Sequence, residues 1–400
     1  MVFEELLEDT KYCLDEASLV QLKYYKYSSV DKSPLSYYVL NPFWTWSAQF
    51  MPSWLAPNVI TLLGIFAIYL NIACILIYIP DLVGPGPAWL YFSFAAGLFF
   101  YQTMDNIDGK QARKTGSSSP LGELFDHGID SLNCCLGGLV QSACMGMGST
   151  RESALVAFIP CVAMFASTWE TYHTHTLYLG YLNGPTEGII IAVGLMIVSG
   201  VLGVDVWKTR LVDIWSVSEY VFGRTFTLKD LWVLAAFLGV FLGHLPVCIY
   251  NVYEAKKQRR EDFVASLNQL LPILFLTLSV YSWLTSPSSI VLSENHLVLF
   301  SLTMSLVFGR VTTSIILAHL TKQPFPYWSV PMYPLFTGGV VFRLFYFFPS
   351  WVELAYLWGF LAFMLVYFGV YATRVINGIC GYLGINCFTI KKPLSLGKQL

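Results

Sequence analysis

Residues 88–130 read AWLYFSFAAGLFFYQTM, then DNIDGKQARKTGSSSP, then LGELFDHGID. The apolar run is suited to a membrane helix, but it ends in a polar stretch that contains Asp105, Asp108, Asp126 and Asp130. A charged side chain at the bilayer centre costs ~2.5–3.5 kcal/mol even on the lenient insertion scale. The four aspartates therefore indicate a polar site where two membrane helices meet.

The spacing of these aspartates predicts that they converge. Asp105 and Asp108 are three residues apart, and Asp126 and Asp130 are four apart, so each pair shares one helix face. Because the chain reverses direction between the two helices, the pairs are expected at similar depth. Two divalent cations would balance the four carboxylates, and oxygen ligands favour Mg²⁺ or Mn²⁺. Two such ions suit displacement at phosphorus, although these residues alone also allow a structural ion-pair cluster or a cation-transport site.

Small and basic residues accompany the aspartates. Gly109 and Gly122 lack side chains at the places where a diphosphate would approach the two helices. Arg113, with Lys110 and Lys114 beside it, would add positive charge at the mouth of the site. The motif therefore predicts chemistry on a phosphate ester.

Beyond this motif the whole chain is apolar. Of its 400 residues 56% are hydrophobic and 12% are charged, whereas a soluble domain is about 25% charged. An all-α, polytopic membrane protein with N-terminal interfacial helices is expected, and the net charge of −2 argues against a nucleic-acid partner. Stretches of spanning length, ~20 residues, predict ten helices, at 58–79, 88–104, 121–146, 153–172, 188–204, 231–250, 267–284, 297–317, 331–347 and 353–373.

Basic residues predict the orientation of these spans. With the N-terminus in the cytosol, sixteen of the 23 lysines and arginines fall on the cytosolic side and five on the other. The active site and both termini would then face the cytosol. Five segments result: 1–57 cytosolic or interfacial, 58–204 catalytic helices, 205–230 interfacial, 231–373 C-terminal membrane helices, and 374–400 a cytosolic tail.

Two segments outside the spans have interfacial patterns. In residues 205–230, Trp207, Leu211 and Trp215 recur at helical spacing, which predicts an amphipathic helix at the membrane surface. Residues 40–54 contain three tryptophans and predict a second interfacial element. An ordinary loop is the alternative for both.

The aspartate motif resembles the signature of the CDP-alcohol phosphotransferase family. That signature is Asp, two residues, Asp-Gly, two residues, Ala-Arg, eight residues, Gly, three residues, Asp, three residues, Asp, and every fixed position is present between Asp105 and Asp130. The runs Pro52–Thr61 and Gly122–Ser131 resemble the eukaryotic choline/ethanolaminephosphotransferase subgroup. The resemblance covers nearly the whole chain and is strongest over residues 22–190.

The resemblance implies a Mg²⁺-dependent enzyme of the endoplasmic reticulum or Golgi membrane, with Mn²⁺ as a possible substitute. Such an enzyme transfers phosphocholine or phosphoethanolamine from CDP-choline or CDP-ethanolamine to diacylglycerol, giving phosphatidylcholine or phosphatidylethanolamine and CMP. A homodimer is also implied. The expected metal ligands are Asp105, Asp108, Asp126 and Asp130. The expected CDP-alcohol site is Asn58, Asp108, Gly109, Ala112, Arg113 and Gly122.

Two further residues are candidates for proton transfer. His127 follows an expected metal ligand, and a histidine is the natural general base near neutral pH. Glu187 is expected on the same side of the membrane, where it could orient His127. Packing roles for both residues, and Asp130 as the base, stay open.

Other charges and other functions also stay open. A third metal site formed by Glu170, His173 and His175 is less favoured than a polar entrance lined by these residues. Arg310 and Arg343 are intramembrane charges to which the sequence assigns no role. The alternative functions are a relative that uses inositol, serine or glycerol phosphate as acceptor, and a cation or lipid transporter.

Overall fold

The regular structure is almost entirely helical. The computed structural model describes residues 14–181, 183–345 and 347–391, and within these residues two short strands are the exceptions. Seven helical segments of the described chain are long and apolar enough to cross a membrane. The prediction of an all-α, multi-pass membrane protein is confirmed.

The N-terminal elements lie against one end of the helices. They are α1 (Glu16–Gln21), a 3₁₀ turn (Leu22–Tyr24), β1 (Ser29–Asp31), a π turn (Ser36–Leu40) and α2 (Asn41–Gln49). β1 pairs in parallel with β2 (Leu177–Leu179), with Val30 opposite Tyr178. The pairing ties this first segment to the connection that follows the fourth long helix.

The next helices hold the aspartate motif. They are α3 (Pro57–Tyr78), α4 (Ala88–Thr115), α5 (Pro120–Cys144), α6 (Arg151–Thr174) and α7 (Ile189–Leu202), the last preceded by a π turn (Gly184–Gly188). α3 packs on α4, and α5 packs on α6.

The C-terminal half continues this arrangement. Its elements are a 3₁₀ turn (Val204–Lys208), α8 (Leu211–Ile214), α9 (Ser218–Phe222), α10 (Leu228–Leu238), a π turn (Gly239–His244), α11 (Leu245–Arg259), α12 (Phe263–Leu267), a 3₁₀ turn (Asn268–Leu270), α13 (Leu271–Leu284), α14 (Ile290–Ser293), α15 (Leu297–Thr321), α16 (Met332–Leu344) and α17 (Ser350–Leu383). α15 is buried on nearly all sides and packs against α5.

Local sequence fixes the turn between α4 and α5. Gly116 ends α4 with a φ of 65°, a left-handed conformation that glycine adopts readily. Ser119 then caps α5, because its Oγ accepts the Gly122 N–H at 3.1 Å, and Pro120 occupies the first helical turn. The tight turn brings the two aspartate faces side by side.

Close helix packing sets the depth of α5. A Cβ atom at Gly138 would lie 2.4 Å from the Val156 carbonyl oxygen of α6, so only glycine permits this approach. On the other side Ser305 of α15 donates to the Leu132 carbonyl at 2.8 Å. α5 is therefore held between two neighbouring helices. The adjoining ends of α4 and α5, which carry the aspartates, form the rim of the helix bundle.

Each of the ten predicted spans overlaps a helix or a run of consecutive helical turns. Seven of these segments are both long enough and apolar enough to cross a membrane. α4 and α5 are 28 and 25 residues long and carry the aspartates at their adjoining ends. α16, at predicted span 331–347, has only 13 residues, fewer than the ~20 that a helix needs to cross the bilayer core unaided.

Two predictions need correction, one on the form of a segment and one on the end of a helix. Residues 205–230 form separate short turns and not one amphipathic helix, because Arg210 and Thr227 pair as an antiparallel bridge. α17 continues to Leu383, past the predicted end at 373. Trp44 in the predicted element 40–54 is buried on the inner face of α2. The predictions for residues 1–13 and 392–400 lie outside the described residues.

Candidate active site

Three of the four aspartates meet at one point. Carboxylate oxygens of Asp105, Asp126 and Asp130 all lie within 4.8 Å of one another. Asp105 comes from α4 and the other two come from α5, so the adjoining ends of both helices build the cluster. The predicted convergence is thus present for these three residues.

Asp108 lies at the edge of the cluster. Its carboxyl is next to that of Asp126 and accepts a hydrogen bond from the Thr61 hydroxyl of α3. Both Thr61 and Asp108 are buried. Because Thr61 carries no charge and belongs to another helix, the spacing of the aspartates could not identify it.

The donor atoms of the cluster fit divalent cations. Asp105 Oδ1 and Asp126 Oδ1 are buried and have no hydrogen-bond partner within the described chain. A buried oxygen without a hydrogen-bond partner costs free energy of folding, and repulsion between neighbouring carboxylates adds to that cost. Oxygen atoms from several carboxylates are the ligands that Mg²⁺ and Mn²⁺ take. The aspartates therefore form a candidate metal centre.

Tyr101 supports the deep side of the cluster. It lies one helical turn before Asp105 on α4, and its hydroxyl donates to Asp130 Oδ1. Its side chain is buried. The interaction fixes the orientation of one carboxylate, as hydrogen bonds to metal-ligating carboxylates generally do. In the sequence Tyr101 is one of many aromatic residues and gives no signal of its own.

The two motif glycines leave open space beside the carboxylates. A Cβ atom at Gly109 would have the Arg113 guanidinium nitrogens as its neighbours, the nearer at 3.6 Å. At Gly122 the nearest atom would be Ser119 Oγ at 3.7 Å. Ala112 lies beside Arg113 on the same end of α4, and Arg113 itself is exposed. These residues leave room for an anionic group with an arginine at its edge.

The neighbouring lysines bind protein atoms instead. Lys110 Nζ donates to Asn41 Oδ1 at 2.5 Å and to Thr45 Oγ1 at 3.0 Å, both in α2. Lys114 Nζ donates to the Met51 carbonyl at 2.8 Å. They fasten α2 across α4, so Arg113 is the basic side chain of this motif that stays beside Gly109.

Asn58 lies below this region on α3. It is buried, and its Nδ2 donates to the Cys387 carbonyl at 3.0 Å. The contact brings the chain that follows α17 to the N-terminal end of α3. Asn58 is therefore near the motif but uses its amide on the protein.

His127 lies on the outer turns of α5, half-buried. His319 of α15 lies close enough for the two imidazoles to interact electrostatically. His319 in turn stacks on His175, with ring centroids 5.1 Å apart and Nδ1 atoms 3.3 Å apart. Three histidines, from α5, from α15 and from the residue that follows α6, thus lie near one another.

Glu187 has other partners than His127. Its Oε1 accepts from the Ser33 hydroxyl, and its Oε2 accepts the Asn183 N–H at 3.0 Å. Within the described residues no hydrogen bond joins it to His127. Glu187 instead connects the start of α7 to the N-terminal segment.

Two tyrosines of that segment reach the motif. The Tyr25 hydroxyl donates to Glu123 of α5, and burial together with this carboxylate raises the pKa of Tyr25. Desolvation of its hydroxyl, with smaller contributions from Asp126 and Glu123, raises the pKa of Tyr27 to about 12 although its ring is half exposed. Residues 25–27 therefore lie over the aspartate end of α5.

The remaining polar candidates have contacts with residues other than the aspartates. Glu170 accepts from Asn251 at 2.7 Å, and His173 contacts Gln269 at 2.6 Å, so these two side chains stabilise helix contacts. Arg310 is buried under the Tyr371 ring, 3.9 Å from its centroid. Arg343 donates to Thr285 Oγ1 at 3.0 Å.

Comparison with known proteins agrees with this site. Residues 54–215 match the family model described as CDP-alcohol phosphatidyltransferase. The chain is 37% identical over 396 residues to cholinephosphotransferase 1 of Saccharomyces cerevisiae, covering 96% of this chain and 99% of the relative. It is 35% identical over 382 residues to choline/ethanolaminephosphotransferase 1 of Arabidopsis thaliana, covering 92% and 96%. It is 32% identical over 386 residues to ethanolaminephosphotransferase 1 of Homo sapiens, covering 93% of each chain.

Proposed function

The chain belongs to the CDP-alcohol phosphatidyltransferase family, and we propose that it transfers phosphocholine, phosphoethanolamine or both from the CDP-alcohol to diacylglycerol. The products are phosphatidylcholine or phosphatidylethanolamine, and CMP. The observation that carries the proposal is the cluster of Asp105, Asp126 and Asp130 at the rim of two membrane helices. Relatives similar over nearly the full length are named for these two alcohols.

Asp105, Asp108, Asp126 and Asp130 would hold two Mg²⁺ ions, which would neutralise the pyrophosphate charge and favour the departure of CMP. Support comes from the two partnerless buried oxygens and from the all-oxygen donor set. Thr61 and Tyr101 keep two of the carboxylates in place. Mn²⁺ would satisfy the same donors.

The CDP moiety would lie over the end of α4. Gly109 and Gly122 leave the space that a diphosphate needs, and Arg113 is placed to pair with its oxygens. Ala112 keeps the adjacent surface small. Asn58 would line the same site. Its amide would then release the Cys387 carbonyl and donate its hydrogen bond to the nucleotide instead.

His127 would act as the general base. The diacylglycerol hydroxyl must lose a proton as its oxygen attacks the β-phosphorus, and CMP leaves from the opposite side. His127 is next in sequence to Asp126 and is half-buried, which supports the proposal that an imidazole nitrogen would be available near the reacting phosphate. Glu187 would support the site from α7, at present through Ser33 and Asn183.

The enzyme would work in the endoplasmic reticulum or Golgi membrane as a homodimer, with the rim and both termini in the cytosol. The excess of basic residues on that side supports the orientation. A cytosolic rim also gives water-soluble CDP-alcohols direct access, while diacylglycerol arrives from the bilayer.

One assay decides the function. The purified protein in lipid nanodiscs is given labelled CDP-choline or CDP-ethanolamine, diacylglycerol and Mg²⁺, and labelled phospholipid and CMP are measured. Asp126→Asn is the inactive control, and Asp205→Asn, an exposed aspartate paired with Lys208, is the matched active control. Absence of product with both CDP-alcohols, and product instead from CDP-diacylglycerol with inositol, serine or glycerol phosphate, would reject the assignment.

A further inference from the structure

Glu123 occupies a distinct position at the rim. It follows Gly122 in the first turn of α5 and lies three residues before Asp126, so the two carboxylates share one helix face. Its side chain forms no ion pair within the described residues. An anionic group therefore sits one turn outside the candidate metal centre without a cationic partner from this part of the chain.

Two tyrosines of the N-terminal segment lie on the same side as this carboxylate. Tyr25 donates its hydroxyl to Glu123, and Tyr27 lies close enough for Asp126, Glu123 and Asp105 to act on its hydroxyl. Half of the Tyr27 side chain is exposed, so its ring is available to a ligand. A carboxylate with nearby tyrosine rings is a suitable environment for an organic cation.

The two sides of the cluster differ in charge. On the α4 side, Arg113 stands beside the space at Gly109, which suits phosphate and nucleotide. On the α5 side, Glu123 and the tyrosines provide negative charge and π surface. A molecule with an anionic end and a cationic end would therefore bind in one direction only.

We propose that Tyr25, Tyr27 and Glu123 form the subsite for the cationic end of the CDP-alcohol. The inference rests on the proposed function. An ethylene spacer separates the ammonium group from the β-phosphate, so a phosphate at the aspartates places the ammonium about one helical turn away, beside Glu123. The N-terminal segment thus completes the substrate site that α4 and α5 begin.

This arrangement predicts how the two alcohols are distinguished. A primary ammonium has N–H donors and binds best to the Glu123 carboxylate. A trimethylammonium has no N–H donor and depends on the tyrosine faces. Tyr27 therefore contributes mainly to the binding of CDP-choline, and Glu123 contributes to both with the larger share for CDP-ethanolamine.

The test measures KM and kcat for both substrates, together with inhibition by CMP, which lacks the alcohol. Tyr27→Leu should raise the KM for CDP-choline ~3- to 30-fold, with kcat and CMP inhibition nearly unchanged. Tyr27→Phe keeps the ring and should behave as wild type. Tyr24→Leu, an exposed tyrosine of the same segment, is the matched control. Glu123→Gln should raise the KM for CDP-ethanolamine more than that for CDP-choline.

The outcomes distinguish a failure of the proposed subsite from a failure of the proposed function. If wild type turns over either CDP-alcohol but Tyr27→Leu leaves both KM values unchanged, the subsite is rejected and the function stands. A parallel weakening of CMP inhibition would reject it as well, because the effect would then be structural. If the wild type turns over neither substrate, the proposed function and this inference both fail.

Discussion

Thr61→Val tests whether α3 supports the candidate metal centre. The substitution keeps the volume of the side chain and removes the hydroxyl that donates to Asp108. Thr61 and Asp108 are buried, so the substitution leaves a buried carboxylate without this donor. A hydrogen bond to a charged group contributes ~1.5–3 kcal/mol, which corresponds to ~10- to 150-fold in an equilibrium constant. Removing such a supporting partner of a metal ligand costs ~10–100-fold in metal affinity or activity.

The expected result is a ~10- to 100-fold increase in the Mg²⁺ concentration that gives half-maximal activity. Mn²⁺ binding followed by electron paramagnetic resonance supplies a readout that does not depend on turnover. Thr61→Ser should restore both values, because it returns the hydroxyl.

The control is Thr168→Val in α6. Thr168 is equally buried, but its hydroxyl donates to the Met164 carbonyl of its own helix at 2.8 Å. This variant should retain the wild-type metal dependence. If Thr61→Val also titrates like the wild type, or if Thr168→Val shifts as far, the hydrogen bond to Asp108 does not support the metal centre.

Three other experiments address the carboxylates, the base and the topology. Asp105→Asn and Asp126→Asn should each abolish turnover in protein that remains inserted, and EDTA should do the same to the wild type; full activity in EDTA would exclude a metal requirement. His127→Ala should lower kcat ~10²–10⁴-fold at saturating substrate, and a near wild-type rate would place the base elsewhere. Adding Glu187→Gln should cost little more if the two act as a unit, whereas fully additive losses would mean that Glu187 acts only through the N-terminal segment. Cysteine labelling from the cytosolic side should reach residues 254–262, at the end of α11 and just after it, and both termini; a lumenal C-terminus would contradict the ten-span topology.

Helical spacing was sufficient to predict that Asp105, Asp126 and Asp130 converge. Periodicity places Asp105 with Asp108 and Asp126 with Asp130, and the turn residues Gly116 and Ser119 force the two helices to adjoin. These are local properties, since helix geometry and capping depend on neighbours within a few residues. The apolar content likewise determines membrane insertion, because each span is selected by its own length and composition.

Partners from distant parts of the chain could not be predicted in this way. Thr61 reaches Asp108 across 47 residues, and Tyr25 reaches Glu123 across 98. Glu187 was expected to orient His127 because the predicted topology places both at the same membrane face, but in the structure Glu187 accepts hydrogen bonds from Ser33 and Asn183. Membrane side limits which residues can meet, and side-chain packing selects among them.

The sequence by itself determined the helical membrane fold, the family motif and the aspartate face, since these follow from composition and from spacing along single helices. The tertiary structure alone decided which uncharged residues hold the carboxylates and that Tyr25 of the N-terminal segment contacts Glu123 of α5. The physical reason is that hydrogen bonds such as that from Tyr101 to Asp130 depend on the relative depth and rotation of packed helices. Depth and rotation are set by close contacts such as that of Gly138 with Val156, which involve the chain as a whole.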